Sequence, residues 1–175
     1  MGTSDGNTNV NALHYVTRDI SVGGIDLQAG DLLLSVDNAE TLNGNSASPD
    51  AGFTNSLSVD DQHGFVFRPD TPGDYSTGSF AMLLDDPVGN VVVGIALIEK
   101  TTSVGEATLQ AGDFLIIHGG FQADIGLWET TDVGAGTTSG TYRTLLAGGD
   151  ANVALGADVA GIGLVFVRRQ RTNQG

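Results

Sequence analysis

Short runs in which apolar and polar residues alternate recur along the chain, and glycines separate one run from the next. Period-two alternation that is rich in Val, Ile, Leu, Phe and Thr is typical of β-strands. The pattern predicts nine strands, at Leu13–Thr17, Asp31–Val36, Phe65–Arg68, Ser79–Leu84, Val91–Ile98, Phe114–His118, Leu127–Thr130, Thr141–Leu146 and Ile162–Val167. No run shows the capped amphipathic pattern of a helix. We therefore expect an all-β fold, either a β-sandwich or a partly closed barrel.

One sequence unit occurs twice. The segment SVGGIDLQAGDLLLS at Ser21–Ser35 returns as SVGEATLQAGDFLII at Ser103–Ile117, with nine of fifteen residues identical and a constant offset of 82. Further along, GDYSTGSFAMLL returns with one inserted residue as GAGTTSGTYRTLL, and Phe67 corresponds to Trp128. The preserved order predicts one domain, 1–175, built from two pseudo-equivalent half-repeats at about 12–100 and about 101–168, followed by a basic tail at 168–175.

The repeat also continues beyond these bounds. The stretch HYVTRDI precedes the first SVG, ALIEKTT precedes the second, and GLVFVRR near the end matches the same stretch again. The chain thus begins and ends at the same position of the repeat, and two interpretations fit this observation: the chain is a piece of a longer array, or its first and last strands pair.

Composition and charge narrow the possible partners. Apolar residues make up 40% of the chain, which is typical of a globular protein and not of a disordered one. Seven basic against 21 acidic residues give 7 − 21 = −14, which argues against nucleic acid and anionic membranes and favours divalent cations or a basic partner. The acidity is also explained by solubility alone. The longest apolar run, Asn90–Ile98, is too short to span a bilayer, so we expect no membrane insertion.

The chain has no cysteine, which excludes disulfides, thiol catalysis and cysteine-bound zinc but leaves the compartment open. Its first residues, MGTSDGNTNVNAL, lack the cationic and apolar regions of a secretion signal. We expect either a domain of a longer polypeptide or a protein exported by another signal.

The two halves differ most after the LQAGD motif. Between this motif's strand and the next, the first half has 26 residues, 37–62, whereas the second has six, 119–124. Long ordered loops often carry function, and this one is rich in the oxygen ligands that calcium prefers. The candidate metal ligands are Asp37, Glu40, Asp50, Asp60 and Asp61. The alternative is a solvated loop, with Ser56–Val59 as an extra edge strand.

The LQAGD motif itself has two interpretations. Asp31 and Asp113 could hold a metal, or each could accept backbone hydrogen bonds beside a glycine in a left-handed turn, which is the simpler expectation.

Signs of catalysis are weak. His14, His63 and His118 are the only histidines, none lies in a nucleophile or metalloprotease motif, and each is expected to be paired or at the surface. Adjacent carboxylates such as Asp60–Asp61 and Asp85–Asp86 leave a carbohydrate-active hydrolase as a remote alternative. We expect no enzymatic activity.

Three of the seven cations, Arg168, Arg169 and Arg171, lie close together in the tail. They either protect a strand end from edge pairing or dock on the acidic body of another copy and so build a head-to-tail assembly.

Taken together, the series DLLLSVDNAETL, GFVFRPDTPGDYSTGSFAMLLDD, LIEKTTSVGEATLQAGDFLI and VGAGTTSGTY resembles a repeat-type β domain of large bacterial adhesins and cadherin-like surface proteins, from about His14 to Val167. The resemblance implies an extracellular or cell-surface location, an attachment or spacer role without catalysis, and either no cofactor or calcium. It implies as partners neighbouring domains or copies of the same protein, together with a protein or glycan ligand. The alternative is a self-assembling structural subunit of a filament or surface layer.

Overall fold

The computed structural model describes residues 8–104, 106–119 and 124–147. The strands of this part are β1 (Val10–Tyr15), β2 (Ile20–Val22), β3 (Ile25–Leu27), β4 (Leu32–Val36), β5 (Glu40–Asn43), β6 (Ser56–Val59), β7 (Gly64–Thr71), β8 (Asp74–Leu84), β9 (Val92–Leu97), β10 (Thr102–Val104), β11 (Ala107–Leu109), β12 (Phe114–His118), β13 (Ile125–Asp132) and β14 (Ser139–Leu146). None of these residues forms a helix that could cross a membrane.

Two four-stranded antiparallel sheets form the body of the molecule. The first sheet has the order β1-β4-β7-β8, and the second has the order β9-β12-β13-β14. Separate two-stranded hairpins are formed by β2–β3, β5–β6 and β10–β11. The described strands do not close into a barrel, so the all-β prediction is confirmed in its sandwich form.

The two sheets are copies of one topology. Adding the sequence offset of 82 to the bounds of β1, β2, β3 and β4 gives the bounds of β9, β10, β11 and β12, and an offset of 61 converts β7 into β13. We call β1–β8 the first unit and β9–β14 the second unit. The pseudo-equivalence predicted from the sequence is therefore confirmed, with only β5 and β6 lacking a counterpart in the described part of the second unit.

The boundary between the units differs from the predicted one. The sheets divide the chain between Leu84 and Val92, so β9 belongs to the second unit, whereas the boundary near residue 100 placed it in the first. The match of ALIEKTT to HYVTRDI agrees with the boundary seen in the structure, because it makes β9 the equivalent of β1.

Eight of the nine predicted strands are present, with ends shifted by a few residues, and Ser56–Val59 is a strand as well. The ninth, Ile162–Val167, lies outside the described residues. The prediction missed β2, β3, β5, β10 and β11, because three or four residues are too few to show alternation.

The units are stacked in the same orientation. Leu33 and Val66 of the first unit lie in the core between the sheets, whereas their equivalents Leu115 and Leu127 lie in a cluster on the far side of the second sheet. The other face of each sheet shows the reverse. Leu34 and Phe67 of the first sheet point away from the second sheet, whereas their equivalents Ile116 and Trp128 lie in the core between the sheets. The contact is thus head-to-tail, as between successive units of a tandem array.

Glycines permit two close approaches that recur in both units. A Cβ on Gly78 would lie 2.5 Å from the Phe67 ring, and a Cβ on Gly140 would lie 2.7 Å from the Trp128 ring. Each aromatic ring therefore covers the glycine of the neighbouring strand, which is the physical reason why both halves have an aromatic residue and a glycine at these positions.

Candidate binding groove

The stretch that has no counterpart in the second half folds in two parts. Its strands β5 and β6 form a hairpin whose Leu42 and Val59 are buried against Phe65 and Phe80 on the outer face of the first sheet. The intervening residues, 44–55, return to the end of the same sheet. The alternative of a solvated loop with Ser56–Val59 as an extra strand is right about that strand, but the strand pairs with β5 and the hairpin covers an apolar face.

Hydrogen bonds fix the loop between β5 and β6. Thr54 and Phe80 exchange backbone hydrogen bonds of 2.7 and 2.8 Å, and the Asn45 side-chain oxygen accepts a hydrogen bond from the Gly78 amide at 3.1 Å. Asn55 binds Ser46 through both ends of its side-chain amide, at 3.1 and 2.8 Å. The loop is thus ordered, and it places Asp50 and Phe53 over the end of β7.

Arg68 is the centre of the site. Its Nε and Nη2 donate to the two carboxylate oxygens of Asp31 at 3.0 and 2.7 Å, and its Nη1 donates to Asp50 at 3.1 Å. Nη2 also donates to the Asp26 carbonyl at 2.6 Å, and the guanidinium lies 4.0 Å from the centre of the Phe53 ring. Burial lowers the pKa of Arg68, but the bonds to Asp31 and Asp50 raise it by more, so the guanidinium stays charged although it is buried.

A groove of three adjoining depressions, which we call the Arg68 groove, lies beside this guanidinium. One depression of about 510 Å³ is lined by residues that include Ile25, Gln28, Phe53 and Arg68. A second, of about 300 Å³, shares Gln28 and Arg68 and adds serine hydroxyls and Asp70. A third, of about 560 Å³, again includes Gln28. The groove offers carboxylate, amide and hydroxyl groups, which suit hydrogen bonding to hydroxyls or amides, and its excess of carboxylates disfavours anions.

The second unit lacks this arrangement. Asp113 is equivalent to Asp31, but the position of Arg68 is taken by Glu129, whose partner is the exposed Arg143 at 3.1 Å. Burial raises the pKa of Asp113, against the backbone hydrogen bonds from Thr130 and Gln110, which lower it. The Arg68 groove is therefore specific to the first unit among the described residues.

The LQAGD motifs behave as the simpler interpretation predicted. Gly30 and Gly112 have φ angles of +105° and +96°, in the region that favours glycine. The Asp31 carboxylate accepts a hydrogen bond from the Gln28 amide at 2.9 Å, and Asp113 accepts one from the Thr130 amide at 3.1 Å. Both motifs are structural turns.

The five predicted metal ligands have separate partners. Asp37 accepts hydrogen bonds of 2.7 Å from the amide and the side chain of Asn9, and Asp50 pairs with Arg68. Glu40 is buried and accepts hydrogen bonds from Thr41 and Thr8, at 2.9 and 3.2 Å. Asp60 accepts a hydrogen bond from the Gln62 amide at 3.0 Å, and the Asp61 carbonyl accepts one from the Val92 amide at 2.7 Å.

Within 8–104, 106–119 and 124–147, no group of three or more His, Asp or Glu side chains is arranged to hold a metal ion. Calcium binding stays a prediction. The predicted assembly residues Arg168, Arg169 and Arg171 lie outside the described residues.

The histidines have different environments. His14 lies 3.2 Å from Glu99, which also accepts hydrogen bonds from the amide and hydroxyl of Thr17 and so joins the two units. His63 Nε2 lies 3.1 Å from Asp85, and its Nδ1 accepts the Asp60 amide at 2.9 Å, so both ring nitrogens are occupied. Among the described residues, no hydrogen-bond partner faces the buried Nδ1 of His118, although the residue as a whole is only half-buried.

No motif in the sequence predicts Arg68, Gln28 or Phe53 as site residues. One signal was present: Arg68 is a cation inside the apolar run GFVFRPD, at the position where the second unit has Glu129. A lone cation in an otherwise buried strand implies a buried partner.

Comparison of the chain with protein-family models, curated proteins and solved structures found no match.

Proposed function

We propose that this chain is a non-enzymatic module of a bacterial adhesin-like surface protein, and that the Arg68 groove of its first unit binds an uncharged polar ligand such as a glycan. One observation carries the proposal: within the 26-residue stretch 37–62, residues 44–55 form an ordered loop that places Asp50 and Phe53 against Arg68 and completes a groove that the described residues of the second unit do not form. Repeated units supply a scaffold, and the part that departs from the repeat supplies the specific surface.

The chemistry of the groove supports a hydroxyl-rich ligand. Gln28 lines all three depressions with an exposed side chain, and Asp50, Asp70 and serine hydroxyls surround it. Carboxylate and amide groups bind the hydroxyls of a sugar by hydrogen bonds without requiring charge on the ligand. Asp31 and Asp50 both accept hydrogen bonds from Arg68, and these bonds hold the guanidinium in position.

A glycan array with matched variants tests this role. Gln28→Ala removes a side chain common to the three depressions, and the matched control Gln110→Ala changes the equivalent exposed residue of the second unit. We expect the wild type and the control to bind the same glycans and Gln28→Ala to lose binding. Equal loss in both variants, or no binding by the wild type to any glycan, would contradict the attachment role.

The surface location is tested separately. On intact cells of the source organism, added protease or antibody should reach the protein without lysis. Protection in intact cells would refute the extracellular proposal.

One observation favours the alternative of a self-assembling structural subunit. The two units already contact each other head-to-tail, and such contacts between chains form filaments when the rotation does not close. Electron microscopy of the pure protein decides, because ordered fibres formed without a partner would favour the subunit and isolated particles would favour the module.

A further inference from the structure

A separate depression of about 230 Å³ lies on the outer face of the first sheet, beside the β5–β6 hairpin. Its lining includes the buried rings of Phe67 and Phe80 and the ring of Tyr75, which is 40% exposed. We call it the Tyr75 depression. Asn45 lines this depression, whereas the next residue, Ser46, lines the Arg68 groove. The loop after β5 therefore borders two different concave surfaces.

Contacts within the protein fix the Tyr75 ring. Its hydroxyl donates to the Gly30 carbonyl at 3.3 Å, and its ring centre lies 6.4 Å from that of Phe67. Phe67 packs in turn on Phe80, at 5.2 Å between ring centres. A ring that is already held in place loses little conformational freedom when a ligand packs on it, so the depression is preorganised for binding.

Polar groups with unused hydrogen-bonding capacity line the same depression. The Asn43 side chain donates to the Thr41 carbonyl at 3.3 Å, and the described residues offer no partner for its side-chain oxygen. The Ser76 hydroxyl donates to Asp74 at 2.6 Å and keeps its capacity to accept. Since a hydroxyl both donates and accepts, a ligand hydroxyl can bind each of these two side chains.

The charges around the depression disfavour an ionised ligand. Its described lining consists of asparagine, glycine, serine and aromatic residues, none of which is charged at neutral pH. The carboxylate of Asp74, bonded to Ser76, lies beside it, and the chain carries a formal charge of −14, so an anion is repelled. A cation finds no carboxylate within the lining to pair with.

The second unit lacks the groups that build this depression. No aromatic residue occurs between Gly134 and Gly140, the stretch equivalent to the one that contains Tyr75. The described part of this unit has no counterpart of β5, and Trp128, the equivalent of Phe67, is buried between the sheets. Like the Arg68 groove, the depression is formed by residues that depart from the repeat.

We propose that the Tyr75 depression is a second binding site of this chain and that it takes one uncharged sugar ring. A sugar ring has C–H groups on its faces, which pack on an aromatic ring, and hydroxyls around its edge, which suit Asn43 and Ser76. The volume of about 230 Å³ lies below the roughly 300 Å³ at which sites for drug-sized ligands begin, and so suits a single ring. The site stands on its own lining and does not require that the Arg68 groove binds a glycan.

Nuclear magnetic resonance titration of the isotope-labelled full chain with methyl glycosides of glucose, galactose, mannose and N-acetylglucosamine tests the site. We expect at least one glycoside to shift the amide signals of Asn43, Asn45 and Ser76, and Tyr75→Ala to raise its dissociation constant about tenfold. Tyr75→Phe keeps the ring and should bind as the wild type does, because the lost hydroxyl bonds to the Gly30 carbonyl.

The matched control is Tyr15→Ala. Tyr15 is also exposed and interacts with the Tyr75 hydroxyl, but it does not line the depression, so its loss should leave the dissociation constant unchanged. Asn43→Ala gives a second readout at an exposed position if Tyr75→Ala fails to fold, and it should also weaken binding.

Several results would overturn the second site. These are glycosides that shift none of the three amide signals, equal weakening by Tyr75→Ala and Tyr15→Ala, and methyl glucuronide binding as tightly as methyl glucoside. A response to benzyl alcohol but to no glycoside would show an apolar site and also overturn it. Binding that Gln28→Ala abolishes and Tyr75→Ala leaves intact would place the sugar in the Arg68 groove, which refutes the second site and leaves the proposed function standing.

Discussion

Asp31 and Asp113 provide an internal comparison of the same residue with and without a buried counter-charge. Both follow the left-handed glycine of an LQAGD turn, and both are buried. Asp31 makes a two-pronged bond to Arg68, whereas Asp113 has Glu129 at the corresponding position. Replacement of each by Asn removes the same charge from two equivalent positions. The difference in unfolding free energy between the two variants therefore measures the contribution of the Asp31–Arg68 ion pair.

The expected costs differ widely. Removing one member of a buried ion pair costs about 3–5 kcal/mol, and Asp31→Asn should fall near the lower end, about 3 kcal/mol, because Asp50 and the Asp26 carbonyl still contact Arg68. Asp113→Asn keeps an oxygen that can accept the Thr130 amide, and it removes a charge that burial disfavours. Its effect should lie within about 1 kcal/mol of zero, on the stabilising side.

The direction in which stability changes with pH follows from the direction of the pKa shift of Asp113. Burial raises the pKa of Asp113 in the folded state above its ordinary value of 3.8, so the folded protein holds this proton more tightly than the unfolded chain. The resulting stability is present below pH 3.8 and is lost as pH rises through the folded pKa. The advantage of Asp113→Asn should therefore be present at pH 7 and shrink as pH falls through the folded pKa.

Equilibrium unfolding in guanidinium provides the measurement. Trp128 is the only tryptophan and is buried between the sheets, so its fluorescence reports the loss of the core. The free energies of unfolding of the wild type and the two variants are compared at pH 7 and 25 °C. Equal costs for Asp31→Asn and Asp113→Asn, or a larger cost for the second, would refute the assignment of Arg68 as the stabilising partner.

Three further predictions concern the packing at Gly78, the protonation of His14 and the binding of calcium. Gly78→Ala should lower the free energy of unfolding by about 2 kcal/mol or more, because its Cβ would lie 2.3 Å from the Arg68 carbonyl; a thermal midpoint equal to that of the wild type would contradict this. Burial lowers the pKa of His14 by more than Glu99 raises it, so stability should decline as pH falls below 6.5, and His14→Gln should flatten this decline between pH 6.5 and 5 in thermal melts; an unchanged slope would exclude His14 as the cause. If calcium binds the folded chain, the thermal midpoint should rise with added calcium and fall with a chelator, and an indifferent midpoint would count against a calcium site.

The sequence was sufficient for the architecture because the repeat and the alternation carry independent information. The offset between the SVG segments placed β12 opposite β4, and alternation located both strands. Short hairpins such as β2–β3 were not predicted, because strands of three residues are too short to show alternation of apolar and polar residues. The relative orientation of the units could not be read, since a two-fold and a head-to-tail arrangement bury equally apolar faces.

The groove was predictable only as a region. The unmatched stretch 37–62 contains Asp50, which lines the groove. Its partners come from β3, the LQAGD turn and β7, which are distant in sequence and meet only through the pairing of β4 with β7. The oxygen-rich composition suggested calcium, which stays a prediction, and one of the five candidate ligands, Asp50, pairs with Arg68.

Stacking in a single orientation makes this architecture extensible by copying. If one unit is duplicated, the added layer meets the same kind of surface that its predecessor met, and no existing contact has to change. Two layers related by a two-fold axis would not have this property, since the faces that match each other are already buried against each other. The β5–β6 hairpin covers the outer face of the first sheet and so marks a side where such growth is blocked.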